Sequence, residues 1–127
     1  MTGKEIYTKS VAFLMEKPYE DNAFWENALE LINAGLQELV PVENSIRCAE
    51  GRECVSDIEI SSLEEEISVS GRVLKILPLY LASHFFRDDL DDKNAELFYN
   101  RFTDAKARLT CAHFVEIADS YGGDADV

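Results

Sequence analysis

Three groups of side chains in this 127-residue chain are of types that do chemistry. The first is the acidic knot Asp88, Asp89, Asp91 and Asp92, in "RDDLDD". Clustered carboxylates suit a hard cation, but the spacing is not that of a calcium loop and no glycine supports the turn. Capping is the plainer reading for part of the knot. Asp91 and Asp92 stand where a following helix begins, and its dipole favours negative charge there by about 0.3–1 kcal/mol each. The second group is Cys48, Cys54, Cys111 and His113. Their spacings, C-x5-C and C-x-H, are not those of the common zinc modules, so buried structural thiols and a surface histidine are expected. The third is His84, beside Phe85 in an apolar run. No serine, cysteine or carboxylate is placed by the sequence as its partner, which favours a satisfied core or interface histidine over a base. Glycine-rich phosphate loops, nucleophile elbows and HExxH are missing from the sequence. The expectation is a protein that is not an enzyme and needs no metal or cofactor.

Composition points the same way. Apolar residues make up 46% and charged residues 29%, enough to build one core of ordinary character. The net charge of −13 disfavours sequence-independent DNA binding, which needs lysine and arginine to displace phosphate counterions. It suits a protein that sits beside nucleic acid without holding it, or one that mimics it. Three cysteines with no dense framework fit a reducing compartment. No apolar run approaches the roughly 20 residues a membrane span needs. The opening "MTGKEIYTKSVAFLMEK" has helical polar spacing and no cleavage site, so mature cytoplasmic protein is expected.

These residues must be positioned by helices. Ile6, Ser10, Phe13 and Leu14 are at helical spacing within Gly3–Glu16, and Pro18 breaks the pattern. Asp21 or Asn22 opens a second helix with the stripe Trp25, Leu29, Ile32, Leu36 and Leu39, expected to end before Pro41. Between residues 43 and 70, Ile58–Ile60 and Ile67–Val69 alternate around "SSLEEE". That reads as a small β-hairpin or extended arm, with a capping-box turn as the alternative. Val73, Leu74, Leu77, Leu81 and Phe85 then mark a helix covered around most of its circumference and kinked by Pro78. Ala95, Phe98, Phe102, Ala105, Leu109 and Ala112 predict an amphipathic helix of about five turns. Gly122 and Gly123 should end the order. The expected fold is mainly α: one domain over residues 3–121, a bundle of four to five helices with a kinked central helix, then a frayed acidic tail over 122–127.

The stretch from Ile60 to Leu109 resembles the second half of head–tail connector (adaptor) proteins of tailed double-stranded DNA bacteriophages and prophages. The positions that carry the likeness are Ser62, Leu63, Glu64, Leu77, Pro78, Ala82, Asp88, Asp89, Ala95, Phe98, Phe102, Ala105 and Leu109. The first two helices extend it back to about Lys4, while "SIRCAEGRECV" and "TCAHFVEIADSYGGDADV" depart from the family pattern. The resemblance implies a structural subunit in a homo-oligomeric ring of about a dozen copies. Such a ring sits in the virion neck below the portal, after assembly in the host cytoplasm, and receives a stopper or tail-completion protein. DNA passes through it without specific binding, and no membrane is involved. On that view Asp88, Asp89, Asp91 and Asp92 are an acidic loop that either caps helices or faces the channel and repels DNA. Phe86 and Leu90, with Phe114, Ile117 and Tyr121 near the C-terminus, are candidate contacts to a neighbouring subunit or the portal. Phe114, Val115, Ile117 and Tyr121 serve equally well as bundle core. The rival function is a small acidic inhibitor that imitates DNA phosphate to occupy a host DNA-binding protein.

Overall fold

The computed structural model describes the backbone of residues 1–125 and the side chains of residues 1–110. Helix α1 (Gly3–Ala12) opens on a reciprocal cap. The Glu5 N–H donates to Thr2 Oγ1, and the Glu5 carboxylate accepts from the Thr2 N–H. Helix α2 (Ala23–Ala49) opens on Asn22, whose side-chain oxygen accepts from the Trp25 N–H at 3.1 Å. A single turn, α3 (Gly71–Leu74), leads into α4 (Leu77–Asp88), and α5 (Asp92–Ala125) follows. The result is a small helical bundle, mainly α, with the bent run 71–88 at its centre.

The bend has the cause its sequence suggested. A proline inside a helix loses one hydrogen bond and clashes one turn back, so the run breaks after Leu74 and restarts with Pro78 in the first turn of α4. Leu77, Leu81 and Phe85 are buried against α1 and α2. The α4–α5 seam is the most extensive helix pairing. Phe85 stacks on Phe24 (ring centroids 4.6 Å), and Tyr80 meets Phe102 at 5.2 Å.

Several expectations need correction. Helix α2 does not stop before Pro41 but carries it inside and runs to Ala49. Val42 and Ile46 continue the buried stripe beyond the proline, and that burial outweighs one lost backbone bond. The β-hairpin does not form: among the described residues the only bridge is Thr2 with Glu66. The 50–70 segment is the extended arm instead, laid along α2. Between residues 55 and 60 its partners are side-chain amides. Asn33 bonds both backbone groups of Ile60 (2.9 and 2.8 Å), and Asn44 does the same to Val55 (2.8 Å each). Gln37 reaches the Ile58 carbonyl at 3.1 Å. Each pair of hydrogen bonds imitates one rung of a sheet ladder, so the backbone groups of Ile60 and Val55 are satisfied without a second strand. Within "SSLEEE", a turn forms in which Glu64 N–H donates to Ser62 Oγ. Helix α1 is shorter than the expected Gly3–Glu16, and α5 is longer than five turns, continuing through Gly122 and Gly123 to Ala125.

Helix ends supply the remaining geometry. After α1, α2 and α4 the chain closes with paired bonds of the Schellman type, in which one residue takes a left-handed backbone. At α4, Asp91 N–H donates to the Phe86 carbonyl (2.9 Å) and Leu90 N–H to the Arg87 carbonyl (3.0 Å). Equivalent pairs place Met15 after α1 and Gly51 after α2. The φ angles are 60° at Met15, 73° at Gly51 and 61° at Leu90. Only Gly51 takes this conformation without cost.

Candidate functional site

The acidic knot divides between two helices. Asp88 ends α4 and Asp89 caps its C-terminus, whereas Asp91 precedes α5 and Asp92 begins it. Asp91 is a working N-cap: its carboxylate accepts from the Asn94 N–H (3.2 Å) and the Asn94 side-chain amide (2.7 Å). Asp88 and Asp89 have no such role. They add negative charge at a helix C-terminus, where the dipole is already negative. Between the pairs stands Leu90, 88% exposed.

Apolar residues surround this corner. Phe86, one turn before Leu90, is half-buried and stacks on Phe98 at 5.2 Å. Phe13, just past α1, meets the same Phe98 ring at 5.1 Å and stays partly exposed. Arg101 covers Phe98 at 5.0 Å, a cation–π contact. Met15 follows Phe13 and is 94% exposed. The end of α1, the end of α4 and the first turns of α5 thus meet at Phe98, with Phe13 and Phe86 against its ring and Arg101 over it. The sequence pointed to Phe86 and Leu90. It missed Phe13 and Met15 because the first helix was extended through them.

His84 lies elsewhere, in a groove of about 370 Å³ between α2 and α4 lined by Phe24, Leu31, Ala34, Phe85 and Asp88 among others. Its ring packs on Tyr80 (centroids 4.6 Å). Burial, and then the nearby positive charge of Arg87, holds its pKa below the ordinary 6.5. Neutral imidazole is therefore the form in the folded protein near pH 7. It makes no hydrogen bond among the described residues, so nothing orients it as a base. Tyr7 and Tyr80 are raised by burial, which fits core phenols. Tyr7 donates to the Tyr19 carbonyl and pins the α1–α2 connection.

Cys48 and Cys54 are free and exposed, not the buried thiols expected, because the α2 terminus and the arm after it face solvent. The side chains of Cys111, His113, Phe114, Ile117 and Tyr121 lie outside the described residues. Among the described residues, no group of three or more His, Cys, Asp or Glu converges.

Glu43 is the one fully buried carboxylate among the described residues. It accepts from Arg47 Nε (2.7 Å) and from the Ser70 N–H (3.1 Å). Arg47 also donates to the Ser68 carbonyl, so this ion pair fastens the end of the arm to α2. That is a structural task.

What the fold and this site define is a mainly helical bundle with an extended arm and a partly exposed apolar corner at one end. No family model, curated protein or solved structure matches the chain.

Proposed function

We propose that the protein is a structural head–tail connector subunit of a tailed double-stranded DNA phage or prophage. It forms a homo-oligomeric ring of about a dozen copies in the virion neck, between the portal and a stopper or tail-completion protein. It performs no reaction, and DNA slides through the ring without being held. The observation that carries this reading is the seam of the bent helix pair. Of the helix positions that carry the connector resemblance, Leu77, Pro78 and Ala82 on α4 and Ala95, Phe98 and Phe102 on α5 are buried, and Ala105 and Leu109 farther along α5 are half-buried. A likeness made of packing positions calls for a packed seam, and that is the support this seam lends to the reading.

The test is co-assembly. Purified chain mixed with portal rings encoded beside it should co-sediment and add a ring of density below the portal in electron micrographs. A chain that stays monomeric and never migrates with portal rings would overturn the reading. The rival, a DNA-mimic inhibitor, requires exposed carboxylates in regular rows. On α5 the exposed Asp92, Glu96 and Asp104 are interleaved with Lys93, Arg101 and Arg108, which breaks any such row.

A further inference from the structure

We infer that Cys48 and Cys54 form a site of reversible oxidation, at which a low-molecular-weight disulfide closes a ring that staples the start of the arm to α2. Both thiols are free and exposed, and neither makes a hydrogen bond among the described residues. The backbone brings them together. After α2 the chain turns back at Gly51: the Gly51 N–H donates to the Cys48 carbonyl (3.2 Å) and the Arg52 N–H to the Arg47 carbonyl (2.7 Å). Val55 is then held by the Asn44 amide through both its backbone groups (2.8 Å each). Cys54, the residue before Val55, therefore lies alongside the helical turn from Asn44 to Cys48, whose first and last residues share a face. The side chains agree in direction. Around α2, Arg47 and Cys48 stand on opposite sides of Asn44. Val55 lines the same groove of about 370 Å³ as Arg47, so its side chain is on the Arg47 side. Side chains alternate along an extended chain, which puts that of Cys54 on the Cys48 side.

The chemistry is two thiol–disulfide exchanges. The thiolate of one cysteine attacks a sulfur of glutathione disulfide, a mixed disulfide forms on the protein, and one glutathione leaves as its thiolate. The thiolate of the second cysteine attacks the protein sulfur of that mixed disulfide, which forms the Cys48–Cys54 bond and expels the second glutathione. The protein loses two electrons and two protons, and glutathione disulfide becomes two glutathione thiols. Ring closure prevails over a lasting adduct because the fold holds the second thiol at high effective concentration. The product ties the arm to α2 covalently, next to the Asn44 hydrogen bonds that otherwise hold it there, so oxidation makes local release of the arm rarer. Excess thiol reverses the step. This site works in the single chain, whether or not copies assemble into a ring.

The test equilibrates the full chain with mixtures of reduced and oxidised glutathione and maps the products by peptide mass spectrometry. The parent should yield a Cys48–Cys54 disulfide within one chain and little glutathione adduct at either position. Cys48→Ser and Cys54→Ser should each leave a stable glutathione adduct on the remaining partner. In a Cys111→Ser chain, the effective concentration of the pair should be about tenfold or more higher in the native protein than in urea, where only the short spacing along the chain favours closure. Amide hydrogen exchange at Val55 and its neighbours should slow about tenfold or more on oxidation and recover when excess dithiothreitol is added. Stable glutathione adducts on both cysteines of the native parent, or a bond from either to Cys111, would overturn the inference. Equal effective concentrations in water and urea would overturn it by showing that the fold does not bring the two thiols together. Exchange at Val55 that is unchanged or faster in the oxidised chain would do the same for the staple.

Discussion

At Gly35 a missing side chain sets how closely two helices approach. A Cβ there would stand 2.5 Å from Leu77 Cδ1 and 2.9 Å from Tyr80 Cδ1. Leu77 is fully buried and the Tyr80 ring is held between His84 and Phe102, so neither yields easily. In an exposed helix, glycine to alanine gains about 1 kcal/mol, whereas overpacking a filled core costs about 1–3 kcal/mol. The second effect should win: Gly35→Ala is expected to lower stability by roughly 1–2 kcal/mol, read as a lower urea midpoint. A higher midpoint would mean that α4 has room to move away from α2. His84 makes a prediction of the opposite kind, visible only as a pH dependence. Its pKa is depressed on folding, so between the folded value and 6.5 the unfolded chain binds more protons. This group therefore contributes nothing above that window, and stability falls as pH drops through it. His84→Gln removes the dependence. The stability gap between parent and variant should stay level above about pH 7.5 and shift against the parent toward pH 5, by urea titration at each pH. A gap that never changes with pH would rule His84 out as the source.

Outside the helices, the arm is held to the bundle largely by individual side chains. Its backbone leans on Asn33, Gln37 and Asn44, which share one face of α2, and on the Glu43–Arg47 pair at its far end. Asn44→Ala leaves the Val55 N–H and carbonyl without their partner, at a cost of about 1–3 kcal/mol if water stays out and less if it enters. Hydrogen exchange should separate these cases: faster exchange confined to residues 50–60 means local release, and faster exchange everywhere means a global loss. Unchanged exchange at Val55 would show that the amide does not hold the arm. The same contacts explain what the sequence concealed. Ile58–Ile60 and Ile67–Val69 alternate as strands do, and the eye looks for a strand to pair them, but Ile58 and Ile60 bond polar side chains on a helix whose apolar stripe hides them, and Ile67 bonds the Met1 carbonyl at the start of the chain. Pro41 misled for a related reason. A proline announces one lost bond, while the burial of Val42 and Ile46 beyond it becomes visible only once the core is assembled. The bent run was legible because Pro78 and the apolar residues around it agree. At the candidate corner, Phe86 and Leu90 were expected as contacts to a neighbouring subunit or the portal. The left-handed backbone at Met15 and Leu90 left no sign in the sequence, since neither is the glycine that usually marks it.

For the molecule as a whole, the net charge of −13 governs how it responds to salt. Like charges spread over a small bundle repel one another, which favours any expanded state. Ion pairs oppose this: Lys4 with Glu20 (2.7 Å), Arg52 with Glu50 (2.6 Å), Lys106 with Glu38 (3.4 Å) and the largely buried pair of Arg47 with Glu43 (2.7 Å). Salt weakens both effects, so its net sign tells which is larger. The first three pairs are mostly exposed, and such pairs contribute about 0–1 kcal/mol each, while the Arg47–Glu43 pair is shielded and barely screened. Little attraction is therefore lost on adding salt. The repulsion acts over longer distances, and the screening length contracts from about 30 Å at 0.01 M to about 8 Å at 0.15 M. Melting temperature should accordingly rise by several degrees over that range of potassium chloride. In the proposed ring, where copies crowd their carboxylates together, assembly should gain even more from the same change. A melting temperature that falls with salt would mean that the ion pairs outweigh the repulsion, and that the acids are arranged for attraction within one chain, which would remove the electrostatic reason for expecting salt to promote the ring.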